Sequence, residues 1–388
     1  MKQSPVLLSI IIVSYNTREL LEKCLDSVIK SLASANFKSN QEKILNQIQD
    51  DANYNRSPDS SGRHPDSSGR HPDESQDLSL VLTPIPDQVR NDDFQVRPPD
   101  SSGRHPDNPP AGGQDLPLAE IIVVDNHSCD DSVAMLENLK LKLENSTKIK
   151  NLKLKIIVNN DNLGFAKANN QGIKKSRGEY IMLLNSDTIV KDRALEKMVS
   201  FLEKRKEFAI LGPKLLNADG TPQPSLGKFP TLPVVAAMLF LEHFLPASLL
   251  RVRWSPKNER EGDWVMGAAL LLRREVYEKI GGLDENIFMY MEEVEWCFRA
   301  KKAGFRVYFY PQAEIIHLGR GSSKSGKKEP ILQIFRGLIY FYEKHQPSWK
   351  KEILLFLLKL KANLSFFLGI LTGNSYLKKT YGEAKKIT

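Results

Sequence analysis

Over most of its length the chain alternates between short, continuous apolar runs and longer segments with apolar residues every three or four positions. Leu7–Ser14 is apolar almost throughout, as a strand covered on both faces must be. The next segment, Thr17 to Leu32, spaces its leucines for one helical face, with Thr17 placed to cap it. The alternation resumes after residue 117: strands at Glu120–Asp125, Lys153–Val158 and Tyr180–Leu184, and helices at Asp130–Glu144, Gly164–Ser176 and Asp192–Lys204. Short strands separated by helices predict parallel pairing through right-handed crossovers, hence a doubly wound α/β sheet. Such sheets bind ligands beyond the carboxyl ends of their strands, where Asp125 and Asp187 fall.

Residues 34–117 break the pattern. The heptapeptide SSGRHPD occurs at Ser60–Asp66, Ser67–Asp73 and Ser101–Asp107, amid Pro, Ser, Asp, Gly and Asn. A segment with so few large apolar side chains cannot offset its ordering entropy, so a disordered insertion in a surface loop is expected. Its histidines (His64, His71, His105) have no ligand spacing. Charge divides along the same line: residues 33–117 sum to −6 in a chain of +8, leaving +14 on the rest. A basic body points to polyanionic partners such as nucleotide phosphates or anionic lipid.

Three widely spaced cysteines (Cys24, Cys129, Cys297) argue against a disulfide framework and fit a reducing, cytoplasmic compartment. The first apolar run is short and continues straight into the fold pattern, unlike a signal peptide. Near the other end, Ile353–Leu371 is strongly apolar but contains Lys359, Lys361 and Asn363. A spanning helix needs roughly 20 mostly apolar residues, and central lysines are costly there. The composition favours a helix lying on an anionic leaflet over a core or dimer helix or a true span, so residues 346–388 read as a membrane-associating tail. In Pro233–Leu250, a second apolar stretch, Glu242, His243 and Pro246 argue against spanning.

Four stretches could carry chemistry. Asp187 follows the strand YIMLL in Asn185-Ser186-Asp187-Thr188; with Asp192 or a neighbour capping the next helix, its carboxylate could hold a divalent cation against phosphate oxygens, or simply form a turn. Asp125, heading Asp125-Asn126-His127-Ser128, makes an Asx turn or accepts hydrogen bonds from a nucleotide. Asn162-Leu163-Gly164 opens a helix whose N–H groups could approach phosphate, unless the glycine serves only the turn. Last, MYMEEVEWCFR places Glu292, Glu293 and Glu295 in the first turns of a helix predicted to reach Lys302 and stop at Gly304. The macrodipole favours acids there by about 0.3–1 kcal/mol each. Glu295 has a partner in Arg299 at i+4, whereas Glu293 lies about 100° round the helix from Glu292.

Read in order, SIIIVSYNT, EIIVVDNHSCDDS, NNDNLGFAKANNQGI, GEYIMLLNSDT, DWVMGAALLLRRE, GGLDENIFMYMEEVEWCFRAKKAGF and IIHLGRGSS resemble the blocks of family 2 glycosyltransferases, especially the rhamnosyltransferase-like branch. The resemblance covers about residues 6–32 and 118–345. It implies a GT-A domain over 1–33 and 118–345: a doubly wound, mixed, mainly parallel sheet flanked by helices. It assigns Tyr15, Asp125, Asn162, Gly164, Asn169 and Asp187 to the nucleotide-sugar site. Asp187 is the second acid of a DxD-type site for Mg²⁺ or Mn²⁺, with Asn185 in place of the first acid and His317 completing the coordination. Trp264, Gly267 and Glu292 bound the acceptor side, and Glu293 is the general base where the family usually has Asp. The implied reaction is an inverting transfer of a sugar, rhamnose being a candidate, from a UDP- or dTDP-activated donor. The acceptor is a saccharide or lipid-linked glycan in cell-surface polysaccharide assembly, met at the inner face of the cytoplasmic membrane with no nucleic-acid partner. A sugar nucleotidyltransferase is the weaker reading, since SIIIVSYNT supplies no glycine- and basic-rich triphosphate loop. An inactive binding or scaffold protein, disabled by the insertion or by Glu293, is the other.

Overall fold

The computed structural model describes residues 6–33, 119–146, 152–242, 244–245, 250, 252–319 and 328–388. The expectations for residues 34–117, histidines included, lie outside these. Strands β1 (Leu8–Ser14), β2 (Ala119–Asp125), β3 (Leu152–Val158) and β4 (Tyr180–Asn185) pair in parallel in the order β3-β2-β1-β4. The apolar runs are continuous because both faces of the inner strands are covered. Ile10, Ile12, Ile121 and Val123 pack in one core with Leu21, Leu25 and Leu136 of helices Arg18–Ala33 and Ser132–Glu144. Ile11, Ile181 and Leu183, one residue out of phase, pack in a second core with Ala166 and Ile173 of helix Phe165–Lys175. Each of these buried Ile, Leu and Val side chains contributes about 1.5–3 kcal/mol by leaving water. β3, at the edge, alternates instead: Leu152 and Leu154 are buried and Lys153 is exposed.

The sheet continues with β11 (Ala269–Arg273), β6 (Ile210–Leu216) and β12 (Val307–His317), and β12 also takes β5 (Thr188–Val190) and β9 (Arg260–Gly262). β1–β4, β6 and β12 run one way; β5, β9 and β11 run the other. This is the mixed, mainly parallel sheet expected. β7 (Leu226–Gly227), β8 (Arg253–Trp254) and β10 (Trp264–Val265) form a small antiparallel sheet. Because β1 lies between β2 and β4, the chain reverses its direction of travel there, which opens a crevice at the carboxyl ends.

Two capping expectations are corrected. The Thr17 hydroxyl bonds Ser186 (3.0 Å) and Ser14 (2.9 Å), and the N–H of Arg18 is met by Asp130 instead. Ahead of helix Ala194–Lys204 the cap position falls on the neighbour of Asp192, Arg193, left-handed (φ 60°) and without a side-chain cap, because a guanidinium carries only donors; it pairs with Glu196 instead.

Helices Lys328–His345, Ser348–Leu371 and Ser375–Ala384 build a third core with Val235 of helix Leu232–Ala236 and Leu239 of the π-helical turn Ala237–Leu241. The two apolar stretches of the sequence therefore pack against each other.

Candidate active site

The loops leaving β1 and β2 are bound into one cradle. Asn126 N–H donates to the Ser14 carbonyl, Asn16 N–H to Ser128 Oγ, and Cys129 N–H to Asn16 Oδ1 (2.6 Å). Both loops need a left-handed residue to close, Asn16 (φ 53°) and His127 (φ 73°). Tyr15 sits in this cradle, half-buried. Asp125 accepts from Ser128 N–H, three residues on rather than the two of an Asx turn, through Oδ1, while its Oδ2 is buried without a partner. Beside it Asn126, which the sequence reading passed over, ties Asn159, Leu163 and Asn162 together.

Gly164 (φ 86°) has a packing reason of its own: a Cβ there would lie 2.6 Å from the Phe288 ring and 2.8 Å from the Phe288 carbonyl. Asn169 is buried and donates to Phe165 O within its own helix.

Across the crevice, Asn185 ends β4, Asp187 lies in the tight turn to β5, and His317 ends β12. His317 Nε2 is 3.4 Å from Asp187 Oδ1 and 3.5 Å from Asn185 Nδ2. His317 Nδ1 meets Gln223 Oε1 at 2.7 Å, and the amide nitrogen of Gln223 already donates to Asn217 and to the His317 carbonyl. Oε1 is thus the acceptor and Nδ1 the donor, which turns Nε2 toward Asp187. Asn185 Oδ1 is buried with no partner. Among the described residues no cluster of three His, Cys, Asp or Glu forms. The donor set is one carboxylate, one imidazole and one orphaned amide oxygen. Such a set suits Mg²⁺ or Mn²⁺ when substrate oxygens and water fill the remaining positions.

The third wall is helix Glu292–Lys302. Its three acids have different fates. Glu295 is wholly buried and receives Arg299 Nε (2.9 and 3.0 Å), Lys344 Nζ (2.8 Å) and His345 Nε2 (3.0 Å). Glu292 and Glu293 are buried too, but each keeps one oxygen, Oε2, without a partner. Burial raises both carboxyls, and the neighbouring Glu293 charge raises Glu292 further. For Glu293 the rise is opposed by the N–H groups of Glu293 itself, Gly267 and Val294, and by the charge of Arg253. Gly267 lies so near that a Cβ on it would be 3.3 Å from Glu293 Cβ. Trp264 is buried, donates to Lys228 O and covers Gly227.

Two consecutive left-handed residues, Tyr290 (φ 65°) and Met291 (φ 79°), turn the chain into this helix. Non-glycine residues rarely adopt this conformation, and such strain concentrates at functional sites. Burial raises the Tyr290 phenol first, and then the charges of Glu292, Asp187 and Glu293 raise it further. Tyr290 therefore lies within electrostatic reach of both Asp187 and the acid pair. Nothing in the sequence pattern marks it.

Residues 112–281 match the family model described as Glycosyl transferase family 2. The chain is 27% identical over 180 residues to the N-acetylglucosaminyl-diphospho-decaprenol L-rhamnosyltransferase of Mycobacterium tuberculosis, across 45% of this chain and 59% of that protein. It is 29% identical over 151 residues to the rhamnosyltransferase WbbL of Escherichia coli, across 38% of this chain and 55% of that one. The matches thus span less than two thirds of these relatives. Among solved structures, a mannosyltransferase from Pyrobaculum calidifontis in complex with GDP-Man and Mn²⁺ superposes with a TM-score of 0.45 at 13% identity, covering 100% of this chain and 73% of that one.

Proposed function

We propose that this chain, which belongs to glycosyl transferase family 2, transfers a sugar, rhamnose being the first candidate, from a nucleoside-diphosphate donor to a glycan acceptor with inversion at the anomeric carbon. The observation that carries the reading is the Glu293 carboxylate. It is buried in the first turn of its helix, where nearby backbone N–H groups favour its charge, with one oxygen unmet. A carboxylate so placed is a base waiting for a hydroxyl.

In the proposed reaction the acceptor oxygen attacks the anomeric carbon while its proton passes to Glu293. The bond from that carbon to the donor's phosphate oxygen breaks, and the nucleoside diphosphate leaves with the electron pair. Asp125 Oδ2, orphaned beside the cradle that holds Tyr15, accepts a hydrogen bond from the nucleotide, UDP or dTDP. Asn126 and the Asn162 turn keep that cradle in shape. Asp187, His317 and Asn185 would hold Mg²⁺ or Mn²⁺, which supplies positive charge to the diphosphate as it departs. On the acceptor side, Trp264 forms the wall, Gly267 leaves room for Glu293, and Glu292 flanks the base.

The acceptor is a saccharide or a lipid-linked glycan of a cell-surface polysaccharide, met at the inner face of the cytoplasmic membrane. Support for the membrane contact comes from helix Ser348–Leu371. Leu354, Leu358, Ala362, Ser365 and Gly369 face the protein. The opposite stripe, Ile353, Phe356, Leu360, Leu364, Phe367 and Leu371, is exposed, with Lys361 on one flank and Lys359 on the other at 100° per residue.

The test is a donor panel with Mg²⁺ or Mn²⁺, scored by release of UDP or dTDP in the presence of saccharide and lipid-linked acceptors. Turnover with one donor supports the reading; absence of both donor binding and turnover across the panel refutes it.

A further inference from the structure

Gln223 has no place in the reaction so far described, yet it sets how His317 stands. Its backbone is held on both sides: its N–H donates to the Leu215 carbonyl at 2.8 Å, and its carbonyl accepts from Ser225 Oγ at 2.8 Å. Its side-chain amide is oriented by a chain of hydrogen bonds whose direction is set at one end. That end is the Asp219 carboxylate, which when ionised only accepts. Thr221 Oγ1 donates to it at 2.6 Å, so the hydroxyl accepts from Asn217 Nδ2 at 2.9 Å. Asn217 thereby turns its Oδ1 to Gln223 Nε2 (2.9 Å), which also donates to the His317 carbonyl. Gln223 Oε1 is left to meet His317 Nδ1 at 2.7 Å. Reversing the amide would set Oε1 against two oxygens, so the arrangement runs one way. The other ring nitrogen, Nε2, lies 3.4 Å from Asp187 Oδ1 and 3.5 Å from the Asn185 amide.

We propose that Gln223 is a positioning residue for the cation site. By keeping a proton on Nδ1 it presents Nε2 to Mg²⁺ or Mn²⁺ beside Asp187. An acceptor on the far nitrogen fixes the tautomer and ring orientation of a metal-ligating histidine and raises its basicity. The contribution matters in a donor set where Asn185 brings an oxygen but no charge. This inference rests on the glycosyltransfer reading above, which puts a divalent cation here, and deepens it by naming the residue that sets how firmly the cation is held.

Mn²⁺ is the probe, because its unpaired electrons report the nuclei bound to it. With UDP or dTDP present, pulsed electron paramagnetic resonance of the wild type should show coupling to a directly bound imidazole nitrogen, absent in His317→Ala. Gln223→Met is similar in length but lacks the acceptor. It should bind Mn²⁺ about 10- to 100-fold more weakly, while Tm and the nucleotide affinity measured in EDTA stay close to wild type. Gln223→Glu keeps an acceptor for Nδ1 and should keep the nitrogen coupling and most of the Mn²⁺ affinity. It should lower Tm, because its carboxylate faces the His317 carbonyl and Asn217 Oδ1.

Equal Mn²⁺ affinity in the wild type and Gln223→Met overturns the proposal. So does an equal loss in Gln223→Met and Gln223→Glu, since the residue would then act by its bulk and not as an acceptor. A wild type that binds the nucleotide no better with Mn²⁺ than with EDTA overturns the cation assignment and the role of Gln223 together. None of these readouts needs turnover. A donor panel without turnover, beside the Mn²⁺ results expected here, would refute sugar transfer and leave Gln223 as the residue that positions His317.

Discussion

Glu293 is held in a place where its charged form is disfavoured, and this has two consequences that one substitution separates. As the proposed base it must be ionised, and burial has raised its pKa above the ordinary carboxylate value. The acidic limb of kcat/KM should therefore lie above about pH 4.5. Glu293→Gln should lower turnover by about 10²–10⁴-fold, the usual contribution of a general base, and leave donor affinity intact by calorimetry. The same change should stabilise the protein. A carboxyl whose folded pKa is raised contributes its full stability below the unfolded pKa and loses it as pH rises through the folded one. Gln never ionises, so Tm of the variant should exceed that of the wild type at neutral pH, with the gap closing near about pH 4. How far this was legible is instructive. Helical phase separated Glu295 from Glu293, and the structure gives Glu295 its Arg299 partner at 2.9 Å. Lys344 and His345, some fifty residues on, were invisible, because contacts made across a tertiary interface leave no spacing in the sequence. Tyr290 was invisible too: a left-handed tyrosine is dictated by the packing around it.

Among elements, the loop from Gly281 to Met291 decides where the acid pair stands, and it is gripped from two sides. On one side, Asn170 exchanges two bonds with Leu283, and Phe165 N–H donates to Phe288 O. On the other, Lys344 and Tyr340 of helix Lys328–His345 hold Asp284, and Gly337 of that helix leaves space for Met291. Burial by itself would raise the Asp284 carboxyl. Lys344, the Asn286 N–H and Tyr340 overcome it and hold the group down at about 2. A depressed carboxyl contributes stability that is present above its unfolded pKa and lost as pH falls through the folded value. The wild type should thus lose Tm between about pH 4 and about pH 2, and Asp284→Asn should flatten that segment of the curve. Gly164→Ala tests the opposite grip. With φ at 86° and the Phe288 carbonyl 2.8 Å from any Cβ, it should cost more than about 2 kcal/mol by denaturant titration. The strands and helices read between Leu7 and Lys204 were legible to within two residues, since each buries one face or both. The loop was not, because its fold depends on the partners that grip it.

At the scale of the whole molecule, the long segment between Ala33 and Ala119 and the apolar tail carry opposite expectations. Helix Arg18–Ala33 runs back along the sheet, so Ala33 ends at the edge where β2 begins at Ala119. Connections there are commonly only 2–6 residues long. Replacing residues 34–117 by a short Gly/Ser linker should leave Tm and turnover close to wild type; loss of either would mean that the segment contributes to the fold or the site. The apolar tail is the opposite case. Composition gave the helix, but only its packing reveals that the apolar stripe on Ser348–Leu371 points away from the core while Leu354, Leu358 and Ala362 point into it. An apolar face left outward on a basic protein has two natural occupants, an anionic bilayer and a second copy, and they respond differently to salt and concentration. If the bilayer takes it, the full chain should co-sediment with vesicles containing anionic lipid, less with neutral ones, and less as salt rises. Phe356→Asp with Phe367→Asp should abolish that binding, leave donor affinity unchanged, and reduce turnover on a long-chain lipid-linked acceptor while sparing a short soluble one. A wild type that ignores vesicles but sediments as a dimer, dissociated by the same two substitutions, would place the stripe in a protein interface instead.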